Sequence, residues 1–257
     1  MKKIFTLAAI ALFTLASCSD NDATPTTPEE NVVLLKKTIE NDVDGDFTTT
    51  YAYDGTKLTG INYSDGTYDA ITYTGDLITQ WVEYYEDGST HTKFIYEYNS
   101  QQKLKSFYWL DYEYDTFTKY DYTYLPNGSI SYTVSYSDDE VTFNIPGDGG
   151  MIYPNRVEEY ITDDIPEPYT YAYNNTYDDK NNPLKNVTGF EKINFAGTDE
   201  GTNFGHNITI IKATNSNGNS EQTLFTCSYV YNPEGYPVSS TGIYNGTDIT
   251  ETQYFYE

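Results

Sequence analysis

Tyrosine returns at alternate positions along most of this chain, and that spacing dictates the backbone it can adopt. In Phe94-Ile95-Tyr96-Glu97-Tyr98, residues 94, 96 and 98 share one side, while Ile95 and Glu97 share the other. A two-residue period is the period of a β-strand. The polar stretch Asn99-Ser100-Gln101-Gln102-Lys103 follows, and Leu104 opens a second strand.

This unit recurs. Tyr51-Ala52-Tyr53 leads through Asp54-Gly55 to Leu58, and Ile71-Thr72-Tyr73 through Thr74-Gly75-Asp76 to Leu77. Tyr120-Asp121-Tyr122-Thr123-Tyr124 leads through Pro126-Asn127-Gly128 to Ile130. Tyr169 to Tyr173 leads through a longer turn to Leu184, and Tyr229-Val230-Tyr231 through Asn232 to Gly235 to Val238. Tyr254-Phe255-Tyr256 closes the chain. Repetition at about 20 to 26 residues, seen at Tyr53, Tyr73, Tyr98 and Tyr124, is the mark of a repeat architecture.

Each unit holds two strands, the second clearest at Ile130 to Tyr136. The return turns carry Asp65-Gly66 and Asp87-Gly88, which take the positive φ of tight hairpins at low cost. Short turns join neighbours antiparallel. The expected fold is all-β: an antiparallel meander of consecutive hairpins forming a curved sheet, left open or closed into a barrel or sandwich. Val32 to Ile39 reads as a strand pairing with Phe47 to Tyr53 across Asn41 to Asp46. Two inserts break the rhythm. Thr142 to Pro168 is expected to be a long loop with one strand near Arg156 to Ile161, and Asn186 to Ser220 a glycine-rich loop with a strand at Asn207 to Lys212. Inserts in an array mark its variable side.

The amino terminus is of another kind. Lys2 and Lys3 precede an apolar run from Ile4 to Leu15, the length of a secretory signal and too short to span a bilayer. Leu15-Ala16-Ser17-Cys18 resembles the lipobox of bacterial lipoproteins. That resemblance implies cleavage before Cys18, lipidation of Cys18, and firm anchoring by several acyl chains. Ser19-Asp20-Asn21-Asp22 resembles the acidic export tag of Bacteroidota surface lipoproteins, which implies an outer-membrane protein facing the exterior. Residues 1–17 are then the signal peptide, 18–30 an acidic, proline-containing tether, and 31–257 one tyrosine-rich domain. The repeat resembles the YD repeats of Rhs-type surface proteins, and more closely the tyrosine-rich repeat lipoproteins of the Bacteroidota. It implies β-hairpin repeats and no particular activity.

Charge narrows the partners. Fourteen Lys and Arg against 39 Asp and Glu give −25, and losing the leader makes the mature chain two units more negative. Such a balance opposes nucleic acid and anionic lipid surfaces. Once Cys18 is lipidated, Cys227 stands alone, with no intramolecular disulfide, and reads as a small core residue.

Few residues offer chemistry. Asp42-Val43-Asp44-Gly45-Asp46 has the carboxylates of a calcium loop, but its twelfth position is Tyr53 and a hairpin turn is the plainer reading. His91 and His206 lie in no spaced metal motif, and no metal or cofactor is expected. No nucleophile elbow or phosphate loop appears. Glu83, Glu86 and Asp87 beside Trp81 are the best carboxylate cluster for a glycoside hydrolase, against the simpler reading of a solvated strand end. Trp81, Tyr84, Tyr85, Trp109 and Tyr112 form an aromatic group that could stack on sugar rings, or simply pack across strands.

The sequence therefore points to a non-catalytic binding module, for a glycan or an envelope protein. A carboxylate-dependent hydrolase and a purely structural surface repeat are its alternatives.

Overall fold

The structure, a computed structural model, describes residues 32–42, 45–162, 169–197, 205–217 and 219–257. Sixteen antiparallel strands follow one another: β1 (Leu35–Asp42), β2 (Gly45–Asp54), β3 (Lys57–Tyr63), β4 (Tyr68–Thr74), β5 (Leu77–Tyr84), β6 (Thr90–Tyr98), β7 (Leu104–Asp111), β8 (Thr116–Tyr124), β9 (Ile130–Ser137), β10 (Ile145–Tyr153), β11 (Arg156–Ile161), β12 (Tyr169–Tyr177), β13 (Ile208–Asn215), β14 (Asn219–Tyr231), β15 (Pro237–Tyr244) and β16 (Asp248–Tyr256). Each pairs with its chain neighbours, and β1 pairs with β16 through Leu35–Tyr256 and Thr38–Tyr254. The meander is thus a closed barrel, which leaves no sheet edge exposed. Among the described residues the helical structure is one short 3₁₀ turn, Phe190–Lys192.

The turns repeat one local device. Asp65 Oδ1 accepts from the Thr67 N–H at 3.0 Å and its hydroxyl at 2.7 Å. Asp87 does the same for Ser89, and Asn127 for Ser129. An acceptor side chain two residues ahead of its donor fixes the turn before any long-range contact forms.

The tyrosine repeat has a structural reason. Tyr98 Oη donates to the carbonyl of Ile78 at 2.6 Å, Tyr53 to Leu35 at 2.8 Å and Tyr229 to Ile208 at 3.0 Å. The hydroxyls of Tyr73 and Tyr124 lie near the backbones of Leu58 and Leu104. These five tyrosines therefore reach back to an earlier strand. Four of the repeat hairpins carry a bulge beside the tyrosine, at Tyr53, Tyr73, Tyr98 and Tyr231. The bulge sets the aliphatic partner. It is Leu58, Leu104 and, without a bulge, Ile130 as the spacing predicts, but Ile78 rather than Leu77, and Pro237 rather than Val238. A one-residue shift turns the neighbouring side chain to the other face.

The tyrosine face is the inner face. Tyr96, Tyr122 and Tyr132 are buried with Leu58, Ile61, Ile78, Leu104 and Phe107, while Glu97 and Thr123 on the opposite face are exposed. Charged pairs stand on the outer wall: Lys119 with Asp121 at 2.7 Å in the middle of β8, and Arg156 with Glu158 at 2.8 Å at the start of β11.

The reading of 142–168 as a loop with one strand is corrected: both β10 and β11 form. Gly147, Gly149 and Gly150 of β10 allow close packing. A Cβ on Gly150 would lie 1.9 Å from the Glu158 carbonyl oxygen and 2.5 Å from Tyr132 Oη. Only a bare backbone fits beneath that ring.

The other insert joins β12 to β13, and its described part plugs one end of the lumen. Val187, Ile193 and Phe195 are buried in the barrel core, and Phe195 meets Tyr122 edge-on at 5.4 Å. Thr188 N–H bonds Thr56, and Asn186 Nδ2 reaches the Val33 carbonyl at 2.9 Å. Both chain ends of the barrel therefore lie at the plugged end, where Leu34 pairs with Glu257.

Candidate functional site: an aromatic and acidic cup in the lumen

On β6, Phe94 and Tyr96 share the parity of the repeat tyrosine Tyr98, and Trp81 of β5 and Phe107 and Trp109 of β7 are their direct cross-strand partners, so all five stand on the inner face. With Glu83 they line a cavity of about 290 Å³. Ala196 and Gly197 of the plug complete it. Gly197 has φ of 65°, and a Cβ there would lie 2.6 Å from the Phe107 ring, so glycine lets the plug seat on the aromatic wall. The rings form a continuous surface: Phe94 stacks on Phe107 at 5.8 Å, Phe94 meets Trp109 at 6.1 Å, and Tyr96 meets Phe107 at 5.3 Å.

Carboxylates sit beside these rings. Asp69 is a direct cross-strand partner of Glu83, and Thr92 stands opposite both Glu83 and Asp111. Asp69 is only 5% exposed. Its Oδ2 accepts from Trp81 Nε1 and from Tyr63 Oη, each at 2.9 Å. Burial pushes the Asp69 carboxyl above its ordinary range, and these two donors only partly oppose that. Glu83 is also pushed up, by burial first and then by the Asp69 charge. At the rim, His91 lies 3.5 Å from Glu83 and 2.9 Å from Glu113, and Tyr85 Oη donates to Glu113 at 3.2 Å.

The sequence-selected aromatics divide. Trp81 and Trp109 meet in the cup. Tyr84 points the other way and stacks on Tyr68 at 4.9 Å. Tyr85 packs against His91 at the rim, and Tyr112 packs edge-on to Phe117 at 5.8 Å. Of the acids singled out with Trp81, only Glu83 faces the cup; Glu86 and Asp87 lie in the exposed turn. The partner of Glu83 is Asp69, which sequence reasoning missed. Its signal was available: Asp69 shares the parity of Ile71 and Tyr73, so it had to point inward.

Cys18 lies outside the described residues, as do Val43 and Asp44 of the acidic turn. Asp42 pairs with Gly45 there, as in a hairpin, and Asn41 Nδ2 donates to Asp46 at 2.6 Å. Among the described residues, no group of three His, Cys, Asp or Glu is arranged to hold a metal ion. Burial raises the Cys227 thiol, which disfavours a reactive thiolate.

The barrel has solved counterparts. One is a porin-like protein from Bacteroides vulgatus, with a TM-score of 0.57 at 12% identity, covering 88% of this chain and 99% of that one. Another is a porin-like protein from Bacteroides uniformis, with a TM-score of 0.49 at 16% identity, covering 87% and 96%. At such identity the first establishes the fold alone. No family model matches the chain, and a comparison with curated proteins finds no match.

Proposed function

We propose that this protein is an outer-membrane lipoprotein, anchored through Cys18, whose barrel stands in water at the cell surface and captures a glycan in its lumenal cup. The carrying observation is the cavity itself, walled by five aromatic rings with a carboxylate at its side. Aromatic faces take the C–H faces of sugar rings, and carboxylates accept sugar hydroxyls. Its volume lies at the small end of the ligand-pocket range, which favours one or two sugar units over an envelope protein.

The outer wall supports a tethered barrel over a membrane-spanning one. A lipid-facing wall needs an apolar band, and a Lys or Arg at the bilayer midplane costs about 2–4 kcal/mol. Lys119, Asp121, Arg156 and Glu158 stand on this wall. The plug and the aromatic lining also occupy the lumen that an open pore would need. Anchoring is tested by Cys18→Ser, which should release the protein from membranes or leave its leader uncut. Continued acyl labelling of that variant sinks the anchor. Glycan capture is tested by calorimetric titration with a panel of oligosaccharides, where Trp81→Ala and Trp109→Ala should each weaken binding at least about ten-fold.

A hydrolase is the second reading, favoured by the direct opposition of Asp69 and Glu83. Adjacent carboxylates with raised proton affinity suit acid–base work on a glycosidic bond. Turnover of a bound oligosaccharide, lost in Glu83→Gln, would replace the binding reading.

A further inference from the structure

The cup carries negative charge without a fixed counter-charge. Glu83 lines it, Asp69 accepts from the Trp81 indole, and Asp111 stands directly opposite Thr92 on the next strand. No lysine or arginine lines it. Lys93 and Lys119, on adjoining strands, alternate with the inward residues Phe94 and Tyr120 and so face outward. His91, at the rim, lies closer to Glu113 than to Glu83.

A neutral sugar would stack on these rings, yet leave Asp69 and Glu83 repelling each other in a partly desolvated site. An ammonium group would relieve both carboxylates. It would also be attracted by the faces of Trp81 and Trp109, since an aromatic ring face is negative.

We infer that the cup selects a sugar bearing a free amino group, its ammonium held at Glu83 and its ring on the tryptophan faces. This inference rests on the reading of the cup as a sugar site, and narrows it. In it Asp69 is a positioning residue: it holds the Trp81 indole and adds to the field at Glu83.

The chain supplies its own reporter. Its two tryptophans are Trp81 and Trp109, and both line this cavity, so tryptophan emission reads the cup alone. The experiment titrates the full-length chain at neutral pH with glucosamine oligomers, their N-acetylated forms, glucose oligomers and a simple alkyl diamine. The free-amino oligomer should shift emission at concentrations at least about ten-fold below the acetylated and neutral sugars, the effect expected of one hydrogen bond to a charged group. Added salt should weaken it. Glu83→Gln should abolish the preference. Because selectivity is read first on the unaltered chain, the test does not depend on that variant folding. Equal affinity for amino and acetylated oligomers overturns the inference and leaves the sugar site standing. A diamine that binds as tightly as the amino sugar overturns the sugar assignment. No shift with any sugar overturns both.

Discussion

Asp69 and Glu83 face each other across the β4–β5 ladder, and the Trp81 indole between them in sequence donates its N–H to Asp69. Like charges placed opposite one another destabilise a sheet. Here they persist in a protein whose neighbouring inner positions are aromatic, which marks this pair off from the surface acids that dominate the composition.

The pair should show in the pH dependence of stability. Both carboxyls are raised by burial, so the folded state holds protons that the unfolded state has released. Between the ordinary carboxylate range and their raised values, stability must fall as pH rises. Asp69→Asn removes one such group while keeping an acceptor, so it should flatten that slope and raise the thermal midpoint at neutral pH. Asp69→Leu strands the Trp81 and Tyr63 donors and should cost about 3 kcal/mol. Thermal scans across the acidic range separate the three proteins.

Strand parity gives a second test. Tyr122 is 8% exposed and packs on Tyr120, Tyr132 and Phe195, whereas Thr123 is on the outer wall. Tyr122→Ala should destabilise by about 3–5 kcal/mol, as large core truncations do. Thr123→Ala should stay within about 0.5 kcal/mol. Chemical denaturation of both measures it, and equal losses would contradict an inner and an outer face.

Alkaline conditions act on the interior. Burial pushes Tyr73 and Tyr124 up to about 12, and Tyr96 and Tyr122 higher still. Such groups support the fold fully below the ordinary tyrosine value near 10, and that support is lost as pH rises toward their folded values. The denaturant midpoint should drop steeply from pH 10 upward. Tyrosinate absorbance from the buried set should rise together with the loss of β-sheet circular dichroism, not ahead of it.

The plug is latched at its base. Asp178 accepts from Tyr231 Oη and from Asn207, and the Asp178 N–H bonds the Asn207 carbonyl at 3.0 Å. Burial alone would raise this carboxyl, but the donors from Tyr231, Lys180 and Asn207 hold it below its ordinary value. Its contribution should therefore be present at neutral pH and vanish as pH falls through that lowered value. Asp178→Ala should speed hydrogen exchange at Val187 to Phe195 while leaving β5 to β8 protected.

Much of this fold was legible because hairpins announce themselves locally. Alternation assigned Tyr96, Tyr98, Tyr122 and Tyr124 to one face, and Asp-Gly turns set the order of strands. Closure was left open, because the β1–β16 ladder joins residues at opposite ends of the chain and no local pattern encodes it. The bulges were invisible for a related reason: Ile78 instead of Leu77 depends on how β4 lies against β5. Within the site, the tryptophans announced themselves by type. Asp69 did not, because one acid among 39 acquires meaning only through the parity of its strand.

The seam between β1 and β16 has a mechanical side. Leu35 and Tyr256 lie together where the two chain ends meet, and the ladder runs from there to Asn41 and Glu251. A pull applied to both ends would load these hydrogen bonds one pair at a time, like a zip, instead of sharing the force along the strand. A pull on the chain entering β1 alone would peel β1 first, from β16 and β2 together. Under such a load, that strand is the barrel's mechanical fuse.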